Sequence, residues 1–215
     1  MNILLFGPQG SGKGTQAELI SKKFNLYHLS TGDALRSEIK NDTALGKKVK
    51  SIINAGSLVS DDVINDIVLS KYKIISSDTN YKGVIFDGYP RSYEQWVFVQ
   101  KHFKIDAALE IHIEDEESIN RISSRRMCTT CGKNYNLMWL KPKVDGHCDI
   151  DNAKIIQRED DNPIEVKKRL AIYHSQTAPL KIEYKKIGIL HVINGNQSID
   201  TVNDVVSKVL TSLKK

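Results

Sequence analysis

The segment that most constrains this chain is Gly7-Pro8-Gln9-Gly10-Ser11-Gly12-Lys13-Gly14-Thr15. It lies between a short apolar run, Asn2 to Phe6, and a helical pattern over Lys13 to Phe24 whose apolar positions are Ala17, Leu19, Ile20 and Phe24. Gly7, four intervening residues and then Gly12-Lys13 match the Walker A spacing. Glycines let backbone N–H groups surround a phosphate, the helix N-terminus adds its dipole, and Lys13 supplies a point charge. A Gly-rich strand–helix turn with no ligand is the bland alternative. The apolar strand before the loop and the helix after it favour phosphate. One position departs from the pattern: Gly14 follows Lys13 where Ser or Thr is usual, and the hydroxyl arrives at Thr15. That shift weakens the case for direct magnesium ligation by the hydroxyl.

Strand and helix signals alternate along the rest of the chain. Gly83–Asp87, Ala107–Ile113 and Ile189–Ile193 read as further buried strands. Helical spacing recurs over about 61–76, 92–103, 115–126 and 163–187. A last helix carries Val202, Val205, Val206, Val209, Leu210 and Leu213 on one face, with Ser198 as its cap. This alternation predicts an α/β fold with a parallel sheet covered on both faces. Two stretches break the rhythm. Residues 31–60 hold two helical patterns, 32–40 and 44–54, without a strand between them. Residues 127–158 hold all three cysteines and little periodicity. Both read as insertions.

Composition narrows the function classes. The 215 residues carry 31 Lys+Arg against 26 Asp+Glu, a formal charge of +5, which invites anionic partners. No apolar run approaches the roughly 18 residues that span a bilayer. The start of the sequence lacks a basic n-region and its apolar stretch is short for a signal peptide. Cys128, Cys131 and Cys148 are an odd count, which leans toward a reducing compartment. A cytoplasmic protein is the expectation.

Asp87 closes a buried strand, where a carboxylate suits a Walker B role on magnesium; a turn Asp is the alternative. Arg36, Arg91, Arg121, Arg125, Arg158 and Arg169 each fall near a loop, an insertion edge or a helix start. Guanidinium groups clamp phosphate oxygens in a planar, two-pronged manner, and phosphoryl transfer needs several such clamps. Arg126 reads as a solvated neighbour of Arg125.

These residues carry a resemblance. Gly7 through Gln16, Leu29 through Arg36, Phe86-Asp87-Gly88-Tyr89-Pro90-Arg91, Arg121 through Arg126, and Arg158 through Asp161 with Arg169 resemble, in order and over almost the whole chain, the adenylate kinase family of the long-lid bacterial type. The resemblance implies a P-loop nucleoside monophosphate kinase: a parallel five-stranded sheet flanked by helices, with two mobile insertions. Residues 1–29, 60–121 and 160–215 would form the core, 30–59 the AMP-binding insertion and 122–159 the lid. It implies reversible, magnesium-dependent transfer of the terminal phosphoryl group of ATP to AMP, giving two ADP without a covalent intermediate. Gly10, Ser11, Gly12, Lys13, Gly14, Thr15, Arg121 and Arg125 would bind ATP, Arg121 lying against the base. Thr31, Arg36, Val59, Gly88, Arg91, Gln95, Arg158 and Arg169 would bind AMP. Lys13, Arg91, Arg125, Arg158, Arg169 and Asp87 would serve the chemistry. A monomer without nucleic-acid or membrane partners is the family-level expectation. Glu94 stands where a Pro is common and Tyr89 where Phe is frequent; neither removes a charged clamp.

Cys128-x-x-Cys131, sixteen residues, then Cys148-x-x-Asp151 give two ligand pairs with zinc-ribbon spacing. The zinc would be structural, cross-linking a lid that lacks its own core, and some relatives resemble this set of three Cys and one Asp. His147 is a second candidate for the fourth position, and a metal-free thiol pair is the other reading. Tyr135 and Trp139 are expected to pack the ribbon. Two rival functions stand beside the kinase. A nucleic-acid-binding module would use the ribbon and the +5 charge, but basic residues in the ribbon are few. A UMP/CMP kinase would usually have a short lid without cysteines and no Thr at position 31.

Overall fold

The computed structural model describes residues 1–54 and 59–213. Its centre is a sheet of five parallel strands: β1 (Ile3–Phe6), β2 (Tyr27–Ser30), β3 (Val84–Asp87), β4 (Ala107–His112) and β8 (Leu190–Asn194), in the order β2-β3-β1-β4-β8. β1 is hydrogen-bonded on both sides, to β3 and β4. Helices cover both of its faces, which is why its four residues are apolar without alternation. Successive residues still serve opposite layers. Ile3 and Leu5 join Ala17, Ile20 and Phe24 of α1 (Lys13–Phe24) and Val202, Val206 and Leu210 of α9 (Ile199–Ser212). Leu4 and Phe6 join Val68 and Ile75 of α4 (Asp61–Ser76), Val99 of α5 (Tyr93–His102) and Tyr184 of α8 (Leu180–Lys186).

The chain leaves β1 toward β2 and β3 on one side, then crosses to β4 and β8 on the other. The phosphate loop therefore opens at the topological switch point, at the carboxyl ends of the strands, where open α/β sheets bind ligands. α1 starts at Gly12, whose φ of 95° no L side chain adopts cheaply, and no side chain caps its first turn. A Cβ at Gly7 would collide with the Ile111 carbonyl, so strand β4 and the loop can approach only because Gly7 has none.

Residues 31–54 form α2 (Thr31–Lys40), capped by Ser30 Oγ accepting from Asp33 N–H at 3.3 Å, and α3 (Ala44–Asn54). These helices share a separate small core, Val49, Val63 and Ile67, with Val59 packed on it. Residues 55–58 of the expected AMP-binding insertion lie outside the described residues. After α6 (Asp115–Ser123) comes a three-stranded antiparallel sheet, β5 (Arg125–Cys128), β6 (Asn134–Asn136) and β7 (Ile155–Ile156), in the order β6-β5-β7. α7 (Pro163–Ile172) follows a short 3-10 turn, Glu159–Asp161.

Four local expectations are corrected. Tyr27–Ser30 is a strand that apolar-run reasoning missed, because it sits at the sheet edge and buries only Leu29 fully. The helix expected over 115–126 ends at Ser123, and Arg125 and Arg126 begin β5. The helix expected over 163–187 is α7, a π turn (Tyr173–Thr177) and α8, the last preceded by Pro179. Leu19, Val205 and Leu213 point outward at 37–39% exposure, off the buried stripes of α1 and α9. Ser198 does cap α9, accepting from Thr201 N–H at 3.2 Å.

Candidate active site and metal centre

Lys13 opens α1 with its ammonium turned back over the loop, donating to the carbonyls of Gly7 and Pro8 at 2.8 Å and to Ser11 Oγ at 3.4 Å. Burial pulls its pKa down to about 8. Asp87 opposes that fall, and Arg91, Arg125 and Arg169 add to it. One carboxylate and three guanidinium groups thus act through their charge on one lysine. Arg158 is lowered to about 10 by burial and by Arg125 and Arg36, and so remains charged at neutral pH. Gly10 faces α6: a Cβ there would lie 3.1 Å from the Ser118 carbonyl and 3.3 Å from Arg121 Cβ. Gly14 lies beside Asp87, its Cβ position 3.8 Å from Oδ2.

Asp87 ends β3 and is held by His28 Nε2 at 3.0 Å. The parallel register brings Ser30 of β2 opposite Asp87, so Thr31 follows directly beside Gly88. The Thr31 hydroxyl donates to the Gly88 carbonyl at 2.9 Å, and Arg91 Nε donates to the same oxygen at 2.7 Å. Gly88 has φ 73°, and a Cβ would stand 2.8 Å from Arg91 Nη2. The positive φ favours glycine there, and a Cβ would displace the Arg91 guanidinium. Gln95 Oε1 accepts from Arg91 N–H at 2.7 Å, while its amide donates to Asp61 Oδ1 at 2.6 Å. The Thr177 hydroxyl, at the end of the π turn, donates to the Arg91 carbonyl at 2.8 Å. Arg36 is ion-paired with Asp33 of its own helix.

On the 3-10 turn before α7, Asp161 has a fully buried side chain and grips two expected clamps. Arg125 Nε and Nη2 meet its two oxygens at 2.8 and 2.5 Å, and Arg169 Nη2 reaches it at 3.3 Å. Arg169 also pairs with Asp160. Arg158 leans on Asn134 Oδ1 at 3.1 Å. Arg121 is held by Glu117 at 2.5 Å, one turn back on α6. Lys13, Asp87, Gly88, Thr31, Arg91 and Gln95 are joined by direct contacts or by their mutual fields, and Arg125, Arg158 and Arg169 share the same field. Arg36 pairs with Asp33 while its charge also acts on Arg91 and Arg158, and Arg121 pairs with Glu117. Sequence reasoning missed His28, Asp61, Thr177 and Asp161. Only Asp161 had a signal, an acidic run between two arginines. Arg126 is not a solvated bystander: its guanidinium is half-buried and donates to the carbonyls of Ser123 and Arg125 at 3.3 and 2.7 Å.

In the antiparallel sheet, Cys128, Cys131, Cys148 and Asp151 place one ligand atom each within 4.8 Å of one another. Two equivalent turns build the cluster. Cys128 N–H donates to the Lys133 carbonyl at 2.9 Å, and Cys148 N–H to the Ala153 carbonyl at 2.8 Å. Each turn places a positive-φ residue four positions after its Cys, Gly132 and Asn152. Backbone N–H groups point at the sulfurs, from Thr130 to Cys128 at 3.4 Å and from Ile150 to Cys148 at 3.5 Å. The Cys131–Cys148 sulfur separation of 3.6 Å and the Cys128 Sγ–Asp151 Oδ1 separation of 3.3 Å suit a tetrahedral zinc, whose S–S and S–O edges are about 3.8 and 3.5 Å. The Ala153 N–H holds the Asp151 carboxyl down at about 2, so it is ionised as a metal ligand must be. His147 turns its Nδ1 to the Asp145 carbonyl at 2.9 Å and does not join the cluster. Tyr135 is buried in the ribbon, whereas Trp139 is 64% exposed, contrary to expectation.

Residues 5–189 match the family model described as adenylate kinase. The chain is 44% identical to an adenylate kinase of Staphylococcus epidermidis over 99% of its own length and all of that protein. The chain belongs to the adenylate kinase family. It is also 43% identical to an adenylate kinase of Enterococcus faecalis, over 98% of this chain and 99% of that one, and 40% identical to one of Petrotoga mobilis over both full lengths. It is accordingly a phosphotransferase acting between ATP and AMP, on a parallel-sheet P-loop fold. Among the described residues no helix is long and apolar enough to cross a membrane.

Proposed function

We propose that the cleft between the phosphate loop, the Gly88–Arg91 turn and the Asp161 cluster carries out adenylate kinase chemistry with the following division of labour. Residues 1–29, 60–121 and 160–215 act as the core, 30–59 as the AMP-binding insertion and 122–159 as the lid. Gly10, Ser11, Gly12, Lys13, Gly14 and Thr15 cradle the ATP phosphates, Arg121 lies along the base, and Arg125 reaches the phosphates. Thr31, Arg36, Val59, Gly88, Arg91 and Gln95 hold AMP, and Arg158 and Arg169 bridge the two nucleotides. An AMP phosphate oxygen attacks the γ-phosphorus as its bond to the ADP leaving oxygen breaks, so no group on the protein is phosphorylated. Charge on the transferred group falls on Lys13 and the arginines, and positioning supplies much of the rate.

Magnesium, when bound with ATP, neutralises its phosphate oxygens. Asp87, held by His28, is the carboxylate placed to orient it, and Gly14 leaves no hydroxyl at the usual position. The Cys128, Cys131, Cys148 and Asp151 set would hold a structural zinc: four donors leave no open position for chemistry. A cytoplasmic monomer that ignores nucleic acid completes the reading.

The observation that supports it most is geometric: Thr31 and Arg91 meet on the Gly88 carbonyl beside Asp87, and Arg125 and Arg169 are gathered on the buried Asp161. Its test is Arg91→Ala. The reading requires turnover with AMP to fall by roughly 10²–10³, with the melting temperature held to within a few degrees. Near-normal turnover would remove Arg91 from the acceptor site.

A further inference from the structure

The lid's own core is small: Cys128, Tyr135, Cys148 and Ile155, with Ala153 packed against it. Phenylalanine would fill the ring position as well as tyrosine, so the hydroxyl needs its own account. Antiparallel register sets Tyr135 of β6 opposite Arg126 of β5, and Cys128 lies two residues further along β5 on the same face. The ring therefore points at the cysteine cluster, and only 2% of Tyr135 is exposed.

A phenol offers one proton and accepting lone pairs. The Tyr135 hydroxyl donates to Cys148 Sγ at 3.3 Å and accepts from the Asp149 N–H at 2.7 Å. The second bond fixes where the proton points. Asp149 immediately follows Cys148, so the hydroxyl is tied to the same turn whose sulfur it touches. Lys133 Nζ stands 5.0 Å from the centre of the ring and 3.7 Å from the Asp149 carboxylate, closing the outer side. Three thiolates and a carboxylate around a divalent cation leave a net charge of −2. Outer hydrogen bonds to such ligands orient them and spread that charge.

We propose that Tyr135 is a positioning residue of the lid's metal site: its buried hydroxyl orients the Cys148 thiolate, draws charge from it, and so tightens the hold on zinc. The proposal rests on the zinc reading above. The structural alternative is that Tyr135 merely fills space.

The test uses the full-length protein and its Tyr135→Phe variant. Metal analysis first establishes whether the unmodified protein carries one zinc; a result of none overturns the zinc reading and the Tyr135 role together. Zinc affinity is then measured by competition with a chelator of known strength. The variant should bind roughly 10–100-fold more weakly. Cobalt(II) is substituted in parallel. Losing the hydrogen bond leaves a more electron-rich thiolate, so the sulfur-to-cobalt charge-transfer band should move to lower energy. Equal zinc affinity and an unmoved band, in a protein that does hold zinc, would overturn the Tyr135 role alone. Site-specific 3-fluorotyrosine at position 135 keeps the ring and strengthens the donor, so it covers a variant that fails to fold. It should move the cobalt band the opposite way, and an unmoved band would count against the proposal.

Discussion

Asp161→Asn isolates the charge that gathers the arginines while keeping the shape of the side chain. Asp161 is wholly buried and accepts three bonds, two from Arg125 at 2.8 and 2.5 Å and one from Arg169 at 3.3 Å. Removing one partner of a buried ion pair costs about 3–5 kcal/mol. Two features lower that figure. The arginine side chains keep 20% and 29% of their exposure, and Arg169 retains Asp160. A loss of about 2–3 kcal/mol is expected, after that discount for solvent screening. For a chain of this size each kcal/mol moves the melting temperature by about 2–4 °C. Thermal unfolding without nucleotide at neutral pH should therefore fall by roughly 5–10 °C. Turnover should fall as well, because Arg125 loses its two-point support. A melting temperature within about 1 °C of the unmodified protein would refute the reasoning, since at 2–4 °C per kcal/mol it leaves the pair worth almost nothing.

Other outcomes follow from the same geometry. The Lys13 pKa of about 8 lies below the ordinary lysine value of 10.5. The folded, nucleotide-free protein therefore sheds a proton between those pH values while the unfolded chain keeps it, and this group makes stability rise with pH across the window. ATP phosphates should restore the charge, so titration calorimetry in buffers of different ionisation heat should show uptake approaching about half a proton near pH 8 and little at pH 6.5; no uptake at pH 8 would contradict the burial account of Lys13. If the quartet holds the proposed structural zinc, Cys128→Ser should lower the melting temperature by more than about 5 °C while turnover at 20 °C changes by less than about threefold. A collapse of turnover with unchanged melting would contradict that role.

The phosphate loop was legible because its chemistry is local: Gly7, Gly12 and Lys13 must be adjacent to one strand and one helix. Strand β2 was not, because Tyr27-His28-Leu29-Ser30 serves an edge and looks like a loop without its partner β3. With β2 went His28, whose contact with Asp87 spans 59 positions. Asp161 stood in view in the sequence, but its partners come from two separate elements, Arg125 of β5 and Arg169 of α7. The clustering of Cys128, Cys131, Cys148 and Asp151 was legible from spacing because Cys128 and Cys148 each close their own turn. The Tyr135 hydroxyl was not, since it depends on strand register. Arg36 and Arg121 were singled out by their motifs, whereas the ion pairs each makes on its own helix, with Asp33 and Glu117, were not.

The central claim is that this cleft transfers phosphoryl groups from ATP to AMP. The most direct measurement is ADP formation by the purified protein with ATP and magnesium, with AMP, UMP, CMP or GMP supplied in turn. The account predicts two ADP formed for each AMP consumed, with AMP far ahead of the pyrimidine nucleotides and little ATP hydrolysis when no acceptor is present. UMP or CMP matching AMP, or ADP appearing no faster with AMP than with water alone, would contradict it.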